Sequence, residues 1–246
     1  PLAFVGLYIG WRTFWFLTDD AYIAFRYVSN SILGYGYVWN APPFQPVEGF
    51  TSFLWVVILD IAWRMFDIEP PSSANGISLF FSCLTLITSA LILFRINWTD
   101  QLRKSRLAFV VALMVFLLLN RSYLAWSSSG LETAMFCFFV SSWVLAFSSK
   151  KIKSTHIFLG SLLATCLALT RPDGLLFCAT TIVIVCLLSF RAGAGKNSIR
   201  LILSSSPLLI VVIHGYWRHL YYGSFLPNTY YAKVIEPWPQ SGIRYG

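Results

Sequence analysis

Asp19 and Asp20 stand side by side just after an apolar opening run, with Tyr22 and Arg26 four residues apart behind them. Two adjacent carboxylates with an arginine nearby suit a site that orients a hydroxyl beside a phosphate. The carboxylate takes the hydroxyl's proton and the guanidinium holds the anion. The same residues also read as plain helix-start chemistry, because Asp caps a helix or sits well in its first turn. Tyr22 and Arg26 then share one helix face, and Gly34 and Gly36 end the helix.

Four further polar groups flank apolar runs. Glu48, in Pro46-Val47-Glu48-Gly49-Phe50-Thr51-Ser52, is either a paired structural group or a substrate ligand, and Thr51 or Ser52 can cap the helix that follows. Glu132 opens an apolar run after the Ser127–Gly130 turn. Arg171, Pro172 and Asp173 join two apolar runs with almost no loop. Pro172 and Asp173 are ordinary helix-start residues, and Arg171 is either a phosphate ligand or a snorkelling side chain. Beyond Trp217 come Arg218, Asn228, Tyr230 and Lys233; Asn228, Tyr230 and Lys233 offer the hydrogen-bonding and stacking surface that a sugar needs, or belong to an interfacial aromatic belt.

The elements that must position these residues follow from composition. The 246 residues are 57% hydrophobic and only 11% charged, less than half the usual charged share of a soluble domain. Such a chain cannot cover itself with a water-compatible surface, so it belongs in a bilayer. Disorder and a small disulfide-stapled fold are excluded by the same numbers. The five cysteines lie inside apolar runs without metal-ligand spacing, and His156 and His214 are isolated. No cofactor is required by the sequence; a divalent metal is left open and no metal ligands are assigned.

Charge-free runs mark candidate spans at roughly 1–17, 50–66, 70–94, 107–120, 133–149, 154–170, 174–190 and 201–217. Ten of the 18 basic residues fall in three short connections: Arg95, Arg103, Lys104 and Arg106; Lys150, Lys151 and Lys153; Arg191, Lys196 and Arg200. The positive-inside rule makes these connections cytoplasmic, so the +8 net charge marks orientation and does not point to nucleic acid. Counting crossings puts 121–131, 171–173 and 218 onward outside. If Asp19 and Asp20 are outside too, the run 50–66 cannot be an ordinary crossing. Its internal Asp60 and Arg64, each costly at mid-bilayer, agree. The expectation is an all-α polytopic membrane protein with about seven crossings and 50–66 as a juxtamembrane or re-entrant helix; the alternative is a plain hairpin of two crossings with Asp19 inside. Residues 18–75 form a large first extracytoplasmic loop with juxtamembrane helices, and 218–246 start a further outer segment. Residues 1–246 form one module, expected to be a piece of a longer protein.

The ordered set "TDDAYIAFRYVSNSILGYGYVWN", "VEGFTSFLW", "GLETAMF", "LTRPDG" and "WRHLYYGSFLPNTYYAK" resembles the bacterial GT-C-class polytopic glycosyltransferases related to the mycobacterial terminal arabinofuranosyltransferase. The likeness spans about residues 18–233 and departs at Phe53, where relatives usually have proline, and at Ala41–Pro46. It implies a GT-C-type helix bundle in the bacterial plasma membrane, with its active site on the extracytoplasmic face. The implied partners are membrane lipids, a polyprenyl-monophosphate sugar donor (arabinofuranose among the sugars suggested) and an extracytoplasmic glycan or other acceptor. It also implies that Asp19 or Asp20 is the catalytic carboxylate. Arg26, Glu48, Arg171, Asp173, Arg218, Asn228, Tyr230 and Lys233 are then the substrate-binding candidates. The competing class is a non-catalytic membrane protein, a transporter or lipid-binding scaffold. A transporter favours helices broken by Gly or Pro, of which Ser204-Ser205-Ser206-Pro207 is the best example.

Overall fold

A computed structural model describes residues 1–96, 98–149, 151–193 and 195–233; the side chains of residues 232 and 233 lie outside the described set. Among the described residues every regular element is a helix. In chain order these are α1 (Leu2–Thr13), α2 (Asp19–Ile32), α3 (Phe53–Phe66), α4 (Pro70–Arg95), α5 (Asp100–Arg103), α6 (Arg106–Leu119), α7 (Arg121–Trp126), α8 (Thr133–Phe147), α9 (Ser154–Thr170), α10 (Leu175–Ala192), α11 (Lys196–Leu203), α12 (Leu209–Tyr222) and α13 (Asn228–Lys233). Tight turns at Pro172–Gly174 and Ser206–Leu208 lead into α10 and α12.

Three helical stretches are long and apolar enough to cross a membrane: Pro70–Arg95, Pro172–Ala192 and Lys196–Tyr222. The described residues are thus all-helical in their regular structure and have the make-up of a membrane protein. Helices α6, α8 and α9 are apolar but shorter, at 14, 15 and 17 residues. Their lengths of about 21–26 Å fall below a hydrocarbon core of about 30 Å. The expected run 1–17 yields only the 12-residue α1. Helix formation stops there because Phe16 and Thr18 donate their backbone N–H groups to the carbonyls of Ser128 and Ser129, at 3.1 Å each. The run 201–217 is also not continuous. It breaks at Ser204–Pro207, and the freed Pro207 carbonyl accepts a 2.9 Å bond from the Thr165 hydroxyl of α9.

α4 is the central element and packs against α8. Its buried face carries Asn75, Ser78, Ser82, Thr85 and Thr88, spaced by threes and fours along one side of the helix. Ser82, Thr85 and Thr88 satisfy their hydroxyls within α4, on carbonyls one turn back. Thr88 also meets Ser141 of α8 at 2.6 Å. Small side chains let the helices approach closely where apolar burial supplies no drive.

α2 and α3 form a second layer. Ala21, Ala24, Phe25 and Val28 make the apolar stripe of α2, packed on Trp55, Val56 and Leu59 of α3. The costly pair in α3 is internally matched: Arg64 Nε lies 3.1 Å from Asp60 Oδ2, which also accepts from the Tyr37 hydroxyl at 3.1 Å. Arg64 further donates to Ser31 of α2. The cap of α2 is Thr18, whose hydroxyl accepts from Asp20 N at 3.0 Å. Neither aspartate is the cap; both sit in the first turn. Ser52 occupies the cap position of α3 without a capping bond.

Asn75 joins the two layers. Its amide donates to the Phe16 carbonyl (3.0 Å) and accepts from Gly130 N (2.7 Å), and its own carbonyl accepts from Trp11 Nε1 at 3.0 Å. Gly130 has φ of +80°, and a Cβ there would lie 2.7 Å from Leu17 Cδ2 and 3.0 Å from Ala21 Cβ, so no other residue fits. Replacing Asn75 by Ala leaves both the Phe16 carbonyl and the Gly130 N–H without their partner. The expected cost is about 2–4 kcal/mol, read as a lowered unfolding midpoint in detergent. Ser78→Ala, which removes one 3.3 Å bond from the same face, is expected to cost about 1 kcal/mol or less.

Candidate functional site

The pairing of residues 16–18 with 128–130 sets the start of α2 beside the start of α8. Asp20 and Glu132 thereby line one cavity of about 340 Å³, together with Arg171, Thr51, Ser52 and Thr229. Arg171 reaches it from the α9–α10 turn. The chain is extended at Arg171 (φ −152°, ψ 150°) and then tightens through Pro172–Gly174. A Cβ on Gly174 would run into the Leu167 backbone, so the turn lies flat against α9.

The Arg171 guanidinium binds Glu132 Oε1 at 3.0 Å and reaches Asp173 Oδ2 at 3.4 Å. Glu132 is buried, and loss of hydration raises its pKa, opposed by Arg171 and reinforced by the negative charge of Asp20. Asp20 itself is exposed, and among the described residues its carboxylate accepts no hydrogen bond. The cavity therefore holds a free carboxylate, a half-exposed arginine with a committed partner, and three hydroxyl side chains. Those are the groups needed to take a proton from a hydroxyl and to hold an anion.

A second, largely apolar cavity of about 490 Å³ opens between α9, α10 and α12. Leu169, Leu175, Val211, Phe225 and Leu226 line much of it, with Thr51, His214, Arg218, Thr229 and Tyr230 as its polar contributors. Thr51 and Thr229 belong to both cavities, so the two are neighbours. Behind this boundary lies a buried ion pair: Arg218 Nε stands 2.8 Å from Glu48 Oε2, and Glu48 is only 2% exposed. Neither Glu48 oxygen accepts a hydrogen bond of normal geometry. Burial pushes the Glu48 carboxyl up to about 7 despite the arginine. The backbone around Glu48 is clamped on both sides. The Tyr27 hydroxyl donates to the Val47 carbonyl and accepts from Gly49 N, each at 2.6 Å, and Asn228 N donates to the Glu48 carbonyl at 2.9 Å.

The expected site residues therefore divide. Asp20 and Arg171 meet in the polar cavity, while Arg218 and Tyr230 line the apolar one. Glu48 is a buried partner of Arg218, and Asn228 acts there through its backbone. Asp19 is exposed outside the cavity lining and accepts from Asp20 N at 3.0 Å. Asp173 is exposed and braces Arg171. Arg26 is not brought to either cavity. It donates to the Trp39 carbonyl (2.7 Å) and to Asn40 Oδ1 (3.0 Å) and stacks on the Trp39 ring at 4.3 Å, so it holds the loop after α2. The side chain of Lys233 lies outside the described residues. Glu132, Thr51, Ser52 and Thr229 were not assigned from sequence as site residues. Glu132 had a signal, a carboxylate opening an apolar run at the same end as Arg171. Compared with known protein families, curated proteins and solved structures, the chain matches none.

Arg171→Ala strands Glu132 in a buried position. Because the arginine is partly exposed, the expected cost is about 1–3 kcal/mol. The double variant Arg171→Ala/Glu132→Gln is expected to recover part of it in a thermal-unfolding cycle. Glu48 gives a pH signature of opposite sense to an ordinary salt bridge. With its folded-state pKa raised from 4.5 to about 7, the folded chain keeps a proton that the unfolded chain releases. Stability is then highest below the unfolded value and falls as pH rises through that window. Glu132 acts in the same direction. Unfolding midpoints in detergent should fall across this range for the wild type and more weakly for Glu48→Gln.

Proposed function

We propose that this chain is the membrane module of a glycosyltransferase that moves a sugar from a polyprenyl-monophosphate donor to a hydroxyl of an extracytoplasmic glycan or other acceptor. The observation that carries the proposal is the junction of a carboxylate- and arginine-bearing cavity with a deep apolar one through Thr51 and Thr229. A ligand filling both has a polar, anion-bearing head and a long apolar tail, and a lipid-linked sugar phosphate has that form.

The helix order is compatible with seven crossings, formed by α1, α4, α6, α8, α9, α10 and the α11–α12 stretch, with α2 and α3 as juxtamembrane helices. Along α9, about 25 Å of helix separates Lys153 from Arg171. By the positive-inside rule the cavity end then faces outward, which in a bacterial plasma membrane is the side where nucleotide sugars are not expected. The resemblance to GT-C-class enzymes supports the same reading.

In the proposed reaction the sugar C1–O bond to the lipid phosphate breaks and a C1–O bond to the acceptor oxygen forms. Asp20 accepts the acceptor hydroxyl's proton, and the lipid phosphate departs with the electron pair of the broken bond. Arg171 and Arg218 stand where they can stabilise its added charge. Asp20→Asn in the full-length protein is expected to lower transfer of labelled sugar from the polyprenyl-phosphate donor by about 100- to 10,000-fold with folding intact. Asp19→Asn should keep most of it. Wild-type turnover in Asp20→Asn would overturn the assignment, and labelled lipid flux across vesicles without sugar transfer would favour a transporter.

A further inference from the structure

Glu48 has no part in the chemistry assigned to Asp20 and Arg218, yet with Arg218 it forms one of the most deeply buried charge pairs of the described chain. Both partners are enclosed, with side-chain exposures of 15% for Arg218 and 2% for Glu48. The pair is close but poorly made. Its 2.8 Å contact lacks hydrogen-bond alignment, and both carboxylate oxygens are without a bonded partner. Arg218 spends Nη1 on the Phe225 carbonyl at 3.3 Å and lines the apolar cavity, so its guanidinium borders the space an anionic headgroup would enter.

The ionisable surroundings are few. Arg218 from α12 is the charged group acting on Glu48, the phenols of Tyr27 from α2 and Tyr222 from α12 lie within its field, and the imidazole of His214 faces Arg218. With Glu48 ionised the pair is neutral in sum. An anion added beside Arg218 would leave a net negative charge in a water-poor site, which is costly unless one acid gives up its charge.

Building on the glycosyltransferase reading, we propose that Glu48 is a displaceable counter-ion. A phosphodiester headgroup entering the apolar cavity takes its place on Arg218, and Glu48 leaves the pair as the neutral acid, so that headgroup binding takes up one proton from solvent. The only bond formed is the O–H of the carboxyl, whose proton comes from solvent, and the guanidinium changes partner. Because Glu48 already sits near half-protonation at neutral pH, the uptake is small below that point and approaches one proton above it.

The test is titration calorimetry of the detergent-solubilised full-length protein in buffers of different ionisation enthalpy. The probe is a farnesyl methyl phosphodiester, whose own phosphate does not titrate near neutrality. The expected result is uptake of about half a proton at pH about 7, rising toward one at higher pH, with affinity there falling up to about tenfold per pH unit. Glu48→Gln should remove the uptake and make affinity independent of pH. Uptake with dimethyl phosphate as well supports the exchange and assigns it to the phosphodiester alone. Uptake only with the farnesyl diester supports it and adds the lipid tail. No binding of the diester, binding without proton uptake in the wild type, the same uptake in Glu48→Gln, or uptake driven by farnesol overturns the proposal. Sugar transfer without proton-linked binding would overturn this exchange alone, and proton-linked binding without transfer would overturn the enzymatic reading alone.

Discussion

The site depends on one amide. Asn75 holds the Phe16 carbonyl with its nitrogen and the Gly130 N–H with its oxygen, and so fixes two irregular segments that have no helix of their own to satisfy them. Buried backbone groups outside regular structure need such partners, and a bilayer offers no water in their place. Trp55 Nε1 adds a bond to the Gly130 carbonyl from α3, and Ser128 Oγ one to the Phe14 carbonyl. The consequence is positional. With residues 16–18 laid against 128–130, the first turn of α2 and the start of α8 must be neighbours, and Asp20 and Glu132 come to one cavity from positions over a hundred residues apart.

Charge is handled by one rule throughout. Each buried carboxylate among the described residues, Glu48, Asp60 and Glu132, has an arginine beside it: Arg218, Arg64 and Arg171 in turn. The three pairs differ in what else they bind. Asp60 is also held through Oδ2 by Tyr37, and Arg64 by Ser31, so that pair is braced by two further residues, although Asp60 Oδ1 has no partner among the described residues. Glu132 and Arg171 border a cavity but are well bonded to each other. Glu48 and Arg218 touch without good alignment. A pair that is buried yet poorly bonded gains least from staying together, which makes it the natural one to open for a ligand. Asp20 stands apart from all three, exposed in its first turn, and so remains available to act on a hydroxyl.

What could be read from the sequence was local. Helix α9 spans the expected run, and α8 and α10 end within two residues of theirs. The helix bounds rest on composition and spacing within a few turns; Asp60 and Arg64, the charges inside the 50–66 run, pair with each other, which leaves open whether that run crosses. Local logic also explains one error. An aspartate at a helix start is a favoured cap, but Thr18 one residue earlier has the extended backbone that a cap requires and takes the bond. The partners of Arg26 were not legible for a different reason. Trp39 and Asn40 reach it across a turn whose path no periodicity sets. Still further from view were the Asn75 bonds and the Arg171–Glu132 pair, which join separate helices and leave no pattern in either segment. The same holds for Thr229, which reaches the cavity because Asn228 N is pinned to Glu48.

The break in the last long helix shows how the apolar cavity comes to exist. A straight helix from Lys196 to Tyr222 would present a uniform apolar face to α9. Instead Ser204–Pro207 interrupts it, and Thr165 holds the loosened Pro207 carbonyl against α9. α12 therefore departs from a point of contact with α9, and the space that opens between them lies toward Val211, His214 and Arg218. At the Arg218 end the gap is lined by the turn through Phe225, Leu226 and Pro227, with Glu48 behind it. The wedge is thus apolar where it is deep and charged where it meets Thr51 and Thr229. The polarity gradient follows from geometry: one broken helix sets the wedge, Arg218 holds the Phe225 carbonyl at its charged end, and Tyr27 and Asn228 N hold the backbone of residues 47–49 behind it.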